Sequence, residues 1–411
     1  MASIQVLTFG CRLNLVESEA LRRAALAAGR TDLIIVNSCA VTEEAVRQTR
    51  QAIRRAKREN PQASIIVTGC AAEIDPALFT AMPEVFKVLG NGAKADPAAW
   101  LEARPDSDPP SLALAPPPVL NEGIEDHTRA FLAVQTGCDH RCTFCIIPFG
   151  RGPSRSVPMA QILDAARRLA DKGFKEIVLT GVDLTSYGAD LPERLKLGRL
   201  VKAILRTAPG LARLRLSSID CIEADADLLS AFAEEPRLMP YLHLSLQAGD
   251  DRILKRMKRR HSRADAVRFC ANLRRLRPNI VFGADLIAGF PTETDPMFEQ
   301  SRALIEDCGL THLHVFPFSA RPGTPAARMP QVAAQTIKQR AAQLREAGKA
   351  ALLAHLEAQR GRRLCVLSER DGTGRSEDFT RVRLGPLSAS RLIDVEIAGH
   401  NGTMLETTKQ T

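Results

Sequence analysis

Short apolar runs alternate with amphipathic stretches along the first hundred residues. Helical spacing of apolar positions is found over Leu15–Ala28 and Glu43–Glu59, and the apolar runs are Ile4–Phe9, Leu33–Asn37 and Ser64–Thr68. Strands that alternate with helices indicate a parallel, open sheet covered by helices. We therefore predict an α/β domain with a parallel sheet over residues 1–103.

A second region with the same alternation begins at Arg129. It follows residues 104–128, whose proline and acidic residues indicate an extended linker. Helical patterns separate the predicted strands Phe131–Gln135, Glu176–Gly181, Arg213–Ser218, Leu242–Leu246, Val281–Ile287 and His312–Phe318. Six β/α units are too few for a complete eight-unit barrel, so we predict an open, partial (β/α)6 barrel over residues 129–360. Its site would lie at the carboxyl ends of the strands.

The pattern changes again after Gly361. From there to residue 411 the chain has short β-type runs broken by Asp-Gly, Gly-Arg and Asn-Gly turns. This pattern predicts a small antiparallel β module over residues 361–411, close to the lower size limit for folding alone.

Composition excludes several classes of protein. The chain has 411 residues, of which 45% are hydrophobic, enough to fill cores and to exclude wholesale disorder. No apolar run reaches the ~18 residues of a membrane helix. The first residues, MASIQVLTFGCRLN, lack the basic start and long apolar run of a secretory signal, so we expect a cytoplasmic protein. Ten cysteines are many for a reducing compartment, and clustered ones indicate metal binding or catalysis.

Three cysteines stand close together after the first predicted barrel strand. Cys138, Cys142 and Cys145 form the pattern C-x3-C-x2-C, which we call the barrel cysteine trio. Three thiolates on one loop suit an iron–sulfur cluster with one iron left open. An open metal position is what a reactive site needs, because substrate must bind there. The alternative is a structural zinc site in which His140 supplies the fourth ligand.

Three further cysteines occupy equivalent positions in the first domain. Cys11, Cys39 and Cys70, the N-terminal cysteine trio, each follow the end of a predicted parallel strand by one or two residues. Ligands of open α/β sheets bind at those strand ends, so we expect the three thiols to lie at one edge of the sheet. Gly10 and Gly69 allow the backbone to turn beside a bulky inorganic group. The alternative is three separate buried thiols.

The two trios resemble those of the radical S-adenosylmethionine methylthiotransferase family. The resemblance covers essentially the whole chain and includes the segments TFGCRLNLVESEA, IIVNSCAVTEEA, VTGCAAE, GCDHRCTFCIIPFGRGPSRSVP, LSLQAGDDRILKRMKRR, GADLIAGFPTETD and HVFPFSARPGTPAARMP. It implies a flavodoxin-like N-terminal domain, a radical S-adenosylmethionine barrel and a C-terminal TRAM domain that binds RNA. It also implies two 4Fe-4S clusters, one in the barrel that binds S-adenosylmethionine and an auxiliary one that carries the sulfur to be inserted.

The resemblance also suggests residues that contact S-adenosylmethionine. The family meets the methionine amino group after the second barrel strand, which corresponds here to Gly181 and Asp183. Further candidates at the ends of the third, fourth and fifth strands are Ser217, Ser218, Gln247 and Asp285. The alternative for each is an ordinary polar residue at a strand end. His243, His312 and His314 lie within apolar strands, and we assign them no role.

The implied reaction is methylthio transfer to an unactivated C–H bond, and three substrates are known for the family. Two are adenosines 3′ to the tRNA anticodon, carrying N6-threonylcarbamoyl or N6-isopentenyl, and the third is an aspartate of a ribosomal protein. VNSCAVT around Cys39 and LTGVDLTSYG around Asp183 resemble the threonylcarbamoyl branch. We therefore predict a tRNA N6-threonylcarbamoyladenosine methylthiotransferase. The alternatives are the other two substrates, or a non-enzymatic metal-containing protein that binds RNA.

Basic residues agree with an RNA partner. The net charge is +9, and one basic run covers residues 331–363. The other two runs contain Arg47, Arg50, Arg54, Arg55, Lys57 and Arg58, and Arg252, Lys255, Arg256, Lys258, Arg259, Arg260 and Arg263. Basic surfaces bind phosphate backbones, although any single run is more commonly a solvated helix face. The expected partners are a tRNA anticodon stem-loop and a flavodoxin- or ferredoxin-type electron donor, and we expect a monomer without membrane contact.

Overall fold

The computed structural model describes residues 4–30, 32–95, 98–101, 123–124, 127–386 and 388–408. Most of the predicted linker at 104–128 lies outside the described residues, and so does the end of the predicted C-terminal module at 409–411. Along the described residues, no helix combines the length and the apolar character needed to cross a bilayer.

The N-terminal part is a parallel sheet with helices on both faces. Its elements are β1 (Gln5–Thr8), α1 (Arg12–Ala27), β2 (Leu33–Ser38), α2 (Glu43–Glu59), β3 (Ser64–Gly69), α3 (Cys70–Ile74), α4 (Pro76–Thr80), β4 (Lys87–Val88) and α5 (Ala98–Leu101). Ile35 of β2 packs with Leu21 of α1 on one face, and Val36 packs with Ile53 of α2 on the other. The predicted parallel α/β sheet is therefore confirmed.

The strand order of this sheet is β1-β2-β3-β4 within the described residues. This order differs from that of flavodoxin-like sheets, which is 2-1-3-4-5, because the first strand lies inside a flavodoxin-like sheet and at the edge of this one. The carboxyl ends of β1, β2 and β3 nevertheless lie side by side, because these strands pair in parallel with Thr8 opposite Asn37 and Asn37 opposite Thr68. All three cysteine-bearing loops therefore leave the sheet at the same edge.

The central part is an open, curved parallel sheet with helices on its outer face. Its strands are β5 (Ala130–Ala133), β6 (Gln135–Thr136), β7 (Arg155–Ser156), β8 (Glu176–Thr180), β9 (Arg213–Leu216), β10 (Ser218–Ile219), β11 (Tyr241–Gln247), β12 (Val281–Ala288) and β13 (Leu310–Pro317). Its helices are α6 (Ile147–Arg151), α7 (Met159–Asp171), α8 (Leu197–Thr207), α9 (Ala226–Glu234), α10 (Asp251–Arg256), α11 (Arg263–Leu276), α12 (Asp295–Asp307) and α13 (Ala334–Glu357). All the predicted barrel strands are present.

The curved sheet consists of two hydrogen-bonded segments. In the described residues β5, β8 and β9 form one segment, and β10 to β13 form the other. A single parallel bridge from Leu214 to Leu238 continues the curve between them. The predicted partial barrel is therefore confirmed.

Helix α1 of the N-terminal part packs inside this open barrel. Alternate residues of a strand point to opposite faces, and Leu132 of β5 accordingly faces the barrel helices. Phe131 of β5 and Val178 of β8 instead pack against Leu13 and Val16 of α1. The N-terminal part thus covers the inner face of the barrel at β5 and β8.

The C-terminal part is a small closed barrel. Its strands are β14 (Arg363–Ser368), β15 (Thr373–Ser376), β16 (Arg381–Arg383), β17 (Leu392–His400) and β18 (Leu405–Thr407). In the described residues they close in the order β14-β15-β16-β18-β17, and all pairs are antiparallel except β16 with β18. The predicted β module is confirmed, with this one parallel pair, which arises because β18 closes the barrel between β16 and β17.

The C-terminal part docks against the barrel strands through the turn that follows β15. Arg215 of β9 donates a hydrogen bond of 3.0 Å to the carbonyl oxygen of Glu377. The Phe379 ring stacks on Tyr241 of β11 with a centroid separation of 5.0 Å. His355 of α13 lies 2.9 Å from the Thr380 hydroxyl. Polar and aromatic contacts therefore join the two parts.

Candidate active site

The N-terminal cysteine trio converges at the edge of the first sheet. Cys11 precedes α1, Cys39 follows β2 and Cys70 is the first residue of α3. The Asn14 amide donates to the carbonyl oxygens of Phe9 at 2.7 Å and Ser38 at 3.1 Å, which ties the first two loops together. All ten cysteines of the chain are free thiols, so these three are available as ligands.

Without a metal, the environment of this trio favours neutral thiols over charged thiolates. Burial, together with the charges of the neighbouring Cys70 and Cys11, raises the pKa of Cys39 to about 11. Burial likewise raises the pKa of the Cys70 thiol. Buried thiols that lie this close become stable thiolates when they bind a metal, because the metal supplies the compensating positive charge. Three such donors fit an iron–sulfur cluster.

The barrel cysteine trio lies on the loop between β6 and α6. The Cys138 amide donates to the Gly152 carbonyl oxygen at 3.1 Å, and the Cys145 amide donates to the Cys142 carbonyl oxygen, also at 3.1 Å. These bonds curl the loop so that the three thiols affect one another electrostatically. Burial, followed by the charge of Asp183, raises the pKa of Cys138 to about 12. This donor set also fits a cluster with three protein ligands.

His140 lies beside one thiol of the barrel trio, because a ring nitrogen of His140, the Cys138 sulfur and an Asp183 oxygen all lie within 4.8 Å of one another. Its Nε2 atom lies 2.8 Å from Asp183 and 3.5 Å from Glu223. Hydrogen bonds to these two carboxylates raise the pKa of His140 to about 10. The zinc alternative required His140 beside all three thiols, whereas the group of ligand atoms around His140 contains Cys138 of the trio together with Asp183.

The two trios lie on either side of one contact between helices. Helix α6 follows the barrel trio and packs against α3, which begins at Cys70. A β-carbon added to Gly150 of α6 would lie 3.1 Å from the Cys70 β-carbon, so a larger residue would push the two helices apart by a few tenths of an ångström. The charge of Cys70 in turn raises the pKa of Cys145 in the barrel trio. The fold thus brings together two cysteine groups that are distant in sequence.

Arg151 is a buried cation beside the N-terminal trio, and it did not figure in the sequence prediction. Its guanidinium forms an ion pair of 2.6 Å with Glu17 of α1 and also donates to Asn14 and Thr136. Burial lowers the pKa of Arg151, but the charges of Cys70, Glu17 and Cys11 outweigh burial and raise it. The signal in the sequence was an arginine soon after Cys145, in the segment FGRG.

A cavity of about 260 Å³ opens where the N-terminal part meets the carboxyl ends of the barrel strands. We call it the active-site cavity. Its walls are Val41 and Thr42 before α2, Phe144 and Ile147 from the cysteine loop, Gln247, Asp285 and Ile287 from the strands, and Phe316, Pro317, Phe318 and Ser319 after β13. Its position matches the strand-end site expected of barrel enzymes.

The predicted S-adenosylmethionine contacts fall into separate groups. Gln247 and Asp285 line the active-site cavity. Asp183 lies 3.9 Å from the Cys138 sulfur, beside the barrel trio. The structure does not place Gly181, Ser217 or Ser218 in the described walls of this cavity.

Ser217 and Gly181 have environments that bear on ligand binding. The Ser217 hydroxyl is buried without a hydrogen-bond partner among the described residues, as expected of a group that awaits a ligand. Gly181 is held close to the Gln135 amide oxygen, which accepts hydrogen bonds from the amides of Val182 and Asp183 at 3.0 and 2.9 Å. Ser218 pairs with His243 in the sheet. The assignment of all six residues to S-adenosylmethionine stays a prediction.

Asp285 has two histidine partners that the sequence prediction left without a role. His243 Nε2 lies 2.9 Å and His314 Nδ1 3.2 Å from the same carboxylate oxygen. Burial raises the pKa of Asp285, but the two histidines outweigh burial and hold it well below its usual range. Asp285 is therefore an ionised acceptor in the cavity wall. The signal in the sequence was that His243 and His314 lie on the two strands that pair with the strand of Asp285.

Two family models match the chain. The Radical SAM superfamily model matches residues 132–305, which include the barrel trio and the strands up to β12. The model described as Uncharacterized protein family UPF0004 matches residues 3–90, which include the N-terminal trio.

A relative over nearly the full length decides the family. The chain is 45% identical over 398 residues to the threonylcarbamoyladenosine tRNA methylthiotransferase MtaB of Rickettsia prowazekii, covering 96% of this chain and 94% of that protein. This chain belongs to the radical S-adenosylmethionine methylthiotransferase family. The predicted resemblance is thereby confirmed.

Other methylthiotransferases are similar at lower identity. The protein named MtaB from Thermotoga maritima is 36% identical over 80% of this chain and 77% of its own length. The tRNA-2-methylthio-N(6)-dimethylallyladenosine synthase of Cereibacter sphaeroides is 33% identical over 89% of this chain and 87% of its own length. Both named branches of tRNA methylthiotransferases are thus represented among the relatives.

Among solved structures, the radical S-adenosylmethionine methyltransferase TsrM of Kitasatospora setae has a similar fold. The TM-score is 0.53 at 16% sequence identity, over 76% of this chain and 69% of that chain. The likeness shows that this methylthiotransferase shares its architecture with a radical S-adenosylmethionine enzyme.

Proposed function

We propose that this methylthiotransferase converts N6-threonylcarbamoyladenosine, at position 37 of tRNA, into its 2-methylthio derivative. The observation that carries the proposal is the 45% identity, over 96% of the chain, to a relative named for threonylcarbamoyladenosine tRNA. The meeting of two cysteine trios at one contact supports it, because methylthio transfer needs a sulfur source near a radical source.

The cofactors that fit the site are two 4Fe-4S clusters and S-adenosylmethionine. The barrel trio would hold the cluster that binds S-adenosylmethionine, and the N-terminal trio would hold the auxiliary cluster. When bound, these groups supply a 5′-deoxyadenosyl radical and the sulfur that is transferred. In each trio the three thiols lie close enough to interact electrostatically, and three protein ligands would leave one iron of each cluster free for a further ligand.

The residues of this chain bind, orient and exclude water. Asp183 beside Cys138, the unpartnered Ser217 hydroxyl, and Gln247 and Asp285 in the cavity wall are polar groups suited to S-adenosylmethionine or the substrate. Gly181 and Ser218 would contribute main-chain groups to the same binding site. Apolar cavity walls such as Phe144 and Ile287 keep water from a reactive radical. Docking α6 on α3 sets the distance between the two cysteine trios, which is the proximity that group transfer requires.

We propose a division of labour that follows the predicted domains. Residues 1–103 would carry the auxiliary cluster, 129–360 the S-adenosylmethionine cluster and 361–411 a TRAM-like RNA-binding module, with 104–128 as linker. The enzyme would act in the cytoplasm as a monomer and take electrons from a flavodoxin- or ferredoxin-type protein. The sequence pattern and the family membership support this division.

Mass spectrometry of tRNA nucleosides from a deletion strain tests the substrate. Loss of the methylthio group from threonylcarbamoyladenosine, restored by the wild-type gene, is the expected result. Cys142→Ala should abolish 5′-deoxyadenosine formation in the purified enzyme. Cys39→Ala should retain some cleavage of S-adenosylmethionine but give no methylthiolated nucleoside. Intact methylthio-threonylcarbamoyladenosine in the deletion strain, with loss from isopentenyladenosine instead, would assign the chain to the other tRNA branch.

Iron and sulfide analysis of anaerobically purified protein tests the cofactors. Two 4Fe-4S clusters give about eight irons per chain, and each trio variant should lose about half of them. Zinc in place of iron would support the alternative of a non-enzymatic RNA-binding protein.

A further inference from the structure

A groove lined by arginines is built from the residues that follow two walls of the active-site cavity in the chain. Its volume is about 230 Å³, and its walls include Arg47, Arg50 and Arg54 of α2 and Arg321 from the loop after β13. Val41 and Thr42 of the cavity wall lie just before α2, and Ser319 of the cavity wall lies just before Arg321. The same two chain segments therefore form both the cavity mouth and this arginine groove.

The charges in the arginine groove are largely uncompensated. The buried Nε atoms of Arg50 and Arg321 have no hydrogen-bond partner in the part of the chain that the structure describes. Arg47 pairs with Glu44 on its own helix and remains 59% exposed. Glu43 is the acidic residue among the described walls of the groove, against four arginines. The groove therefore attracts an anion that is not supplied by this chain.

The spacing of the arginines favours a chain of anions. Arg47, Arg50 and Arg54 recur on one face of α2, and the first and last are about 10 Å apart along the helix axis. Arg321 faces them from the other wall of the groove. Guanidinium groups bind phosphate oxygens in a bidentate manner. A row of guanidinium groups of this length suits successive phosphates better than a single small anion.

The second predicted basic run differs from the arginine groove. Arg259 is 8% exposed, pairs with Asp220 at 2.8 Å and donates to the Cys142 sulfur at 3.7 Å. Arg260 pairs with Glu223 and Asp220, and Arg263 pairs with Asp307. Three residues of that run are therefore paired with carboxylates of the protein, although the sequence alone made the run the denser candidate for RNA contact.

We propose that the arginine groove binds the phosphodiester backbone of the tRNA beside the nucleotide that enters the active-site cavity. The inference rests on the proposed function, because it takes tRNA to be the substrate. An acidic electron-donor protein is the other macromolecule that such a groove attracts. A protein bound there would cover the cavity mouth through which the substrate must enter, so the position favours RNA.

The test compares two triple variants of the enzyme loaded with both clusters. The first, Arg50→Gln/Arg54→Gln/Arg321→Gln, removes three charges from the groove. The control, Arg55→Gln/Arg167→Gln/Arg302→Gln, removes three exposed arginines that each pair with a carboxylate on their own helix. Affinity for tRNA carrying threonylcarbamoyladenosine is measured at several salt concentrations.

The groove variant should bind tRNA roughly tenfold more weakly at a fixed salt concentration. Its plot of log affinity against log salt should be less steep by about 2, since each lost phosphate contact removes about 0.7 from the slope. The control should match the wild type in both respects. Arg50→Lys/Arg54→Lys/Arg321→Lys should keep the steep slope, because lysine keeps the charge, and iron content equal to that of the wild type verifies folding.

The outcomes separate this proposal from the proposed function. If the wild type binds and modifies tRNA but the groove variant binds like the control, the groove does not hold the backbone and the proposed function stands. A groove variant that keeps its tRNA affinity but loses reduction by a flavodoxin would assign the groove to the electron donor instead. A wild type that neither binds nor modifies tRNA would refute the proposed function itself.

Discussion

At the scale of single residues, glycines decide whether the N-terminal thiols can converge. Gly10 has φ of +96°, and a β-carbon there would lie 2.7 Å from the Cys39 sulfur. Gly69 has φ of +93°, and a β-carbon there would lie 2.5 Å from the Ser38 carbonyl oxygen. Glycine is required at both positions for two independent reasons, the backbone conformation and the absence of space.

Gly10→Ala should therefore lower the iron content of the purified protein. The added methyl group displaces the Cys39 thiol, and about half of the iron should be lost if the N-terminal trio holds one of two clusters. Gly29→Ala is the matched control, since Gly29 has φ of +72° with no atom within 4 Å of the added carbon. The control carries only the backbone cost of about 1–2 kcal/mol and should keep its iron. Full iron content in Gly10→Ala would contradict a cluster ligated by Cys39.

At the scale of elements, α1 joins the N-terminal part to the barrel. Its amino end follows Cys11, its apolar residues Leu13 and Val16 pack on the inner barrel strands, and its Glu17 pairs with Arg151 at the end of α6. One helix thus positions a thiol, fills the open barrel and contacts the element that follows the barrel trio. Helix α1 is buried on two sides because it packs on the N-terminal sheet and on the barrel strands.

Leu13→Ala should destabilise the protein through this contact. Leu13 is 2% exposed, and truncation of a buried leucine typically costs about 2–5 kcal/mol. Leu26 lies near the end of the same helix and is 48% exposed, so Leu26→Ala should change stability by no more than about 0.5 kcal/mol. Thermal unfolding of the anaerobically purified variants measures both effects. Equal midpoints for the two variants would show that α1 does not depend on the barrel contact.

The Glu17–Arg151 pair should make stability depend on acid. Burial raises the pKa of Glu17, but Arg151 and Lys94 outweigh burial and lower it from 4.5 to about 2. A carboxyl whose pKa is lowered by folding contributes stability above its unfolded pKa, and this contribution is lost as the pH falls from about 4.5 toward 2. Here the contribution is about 3 kcal/mol at neutral pH.

Glu17→Gln tests this dependence. In cluster-free protein, denaturant unfolding should show the variant less stable than the wild type at pH 7, with the difference shrinking below pH 4.5. Glu44→Gln is a control on the N-terminal part, because Glu44 pairs at an exposed position on α2. A constant gap between Glu17→Gln and wild type at all pH values would exclude the ionised carboxylate as its cause.

At the scale of the whole molecule, the three parts of the chain meet at Phe379. Its ring lies under the guanidinium groups of Arg12 from the N-terminal part, Arg129 and Arg215 from the barrel, and Arg375 from its own part, at 5.7, 5.3, 4.9 and 4.6 Å. Each guanidinium group is attracted by the π electrons of the ring, and the ring also lies among these four positive charges. A single side chain of the C-terminal part therefore contributes to both neighbouring contacts.

Phe379→Ala should loosen the C-terminal part from the barrel. The stacking on Tyr241 and the contacts with four arginines are lost together, so we expect a cost of about 3 kcal/mol or more. Phe149→Ala removes a ring that is 56% exposed and should have little effect. Faster proteolytic release of the C-terminal part from Phe379→Ala, with Phe149→Ala unchanged, is the expected observation. Equal release rates would show that the docking does not depend on the ring.

The sequence by itself determined the elements and the ligand types. Short apolar runs and helical spacing placed the strands and helices, because these patterns are local properties of the chain. The spacing of Cys138, Cys142 and Cys145, and the equivalent positions of Cys11, Cys39 and Cys70, indicated two metal-binding groups, because parallel strands end at a common edge.

Only the tertiary structure decided what lies between these elements. The contact of α6 with α3, the ion pair of Arg151 with Glu17 and the two histidines on Asp285 join residues far apart in the chain. No local pattern encodes such contacts. The basic runs show the same limit, since Arg259 pairs inside the barrel while Arg321, outside any run, completes the arginine groove. Charge is a property of composition, but whether a charge is free to bind RNA depends on which carboxylates the fold brings to it.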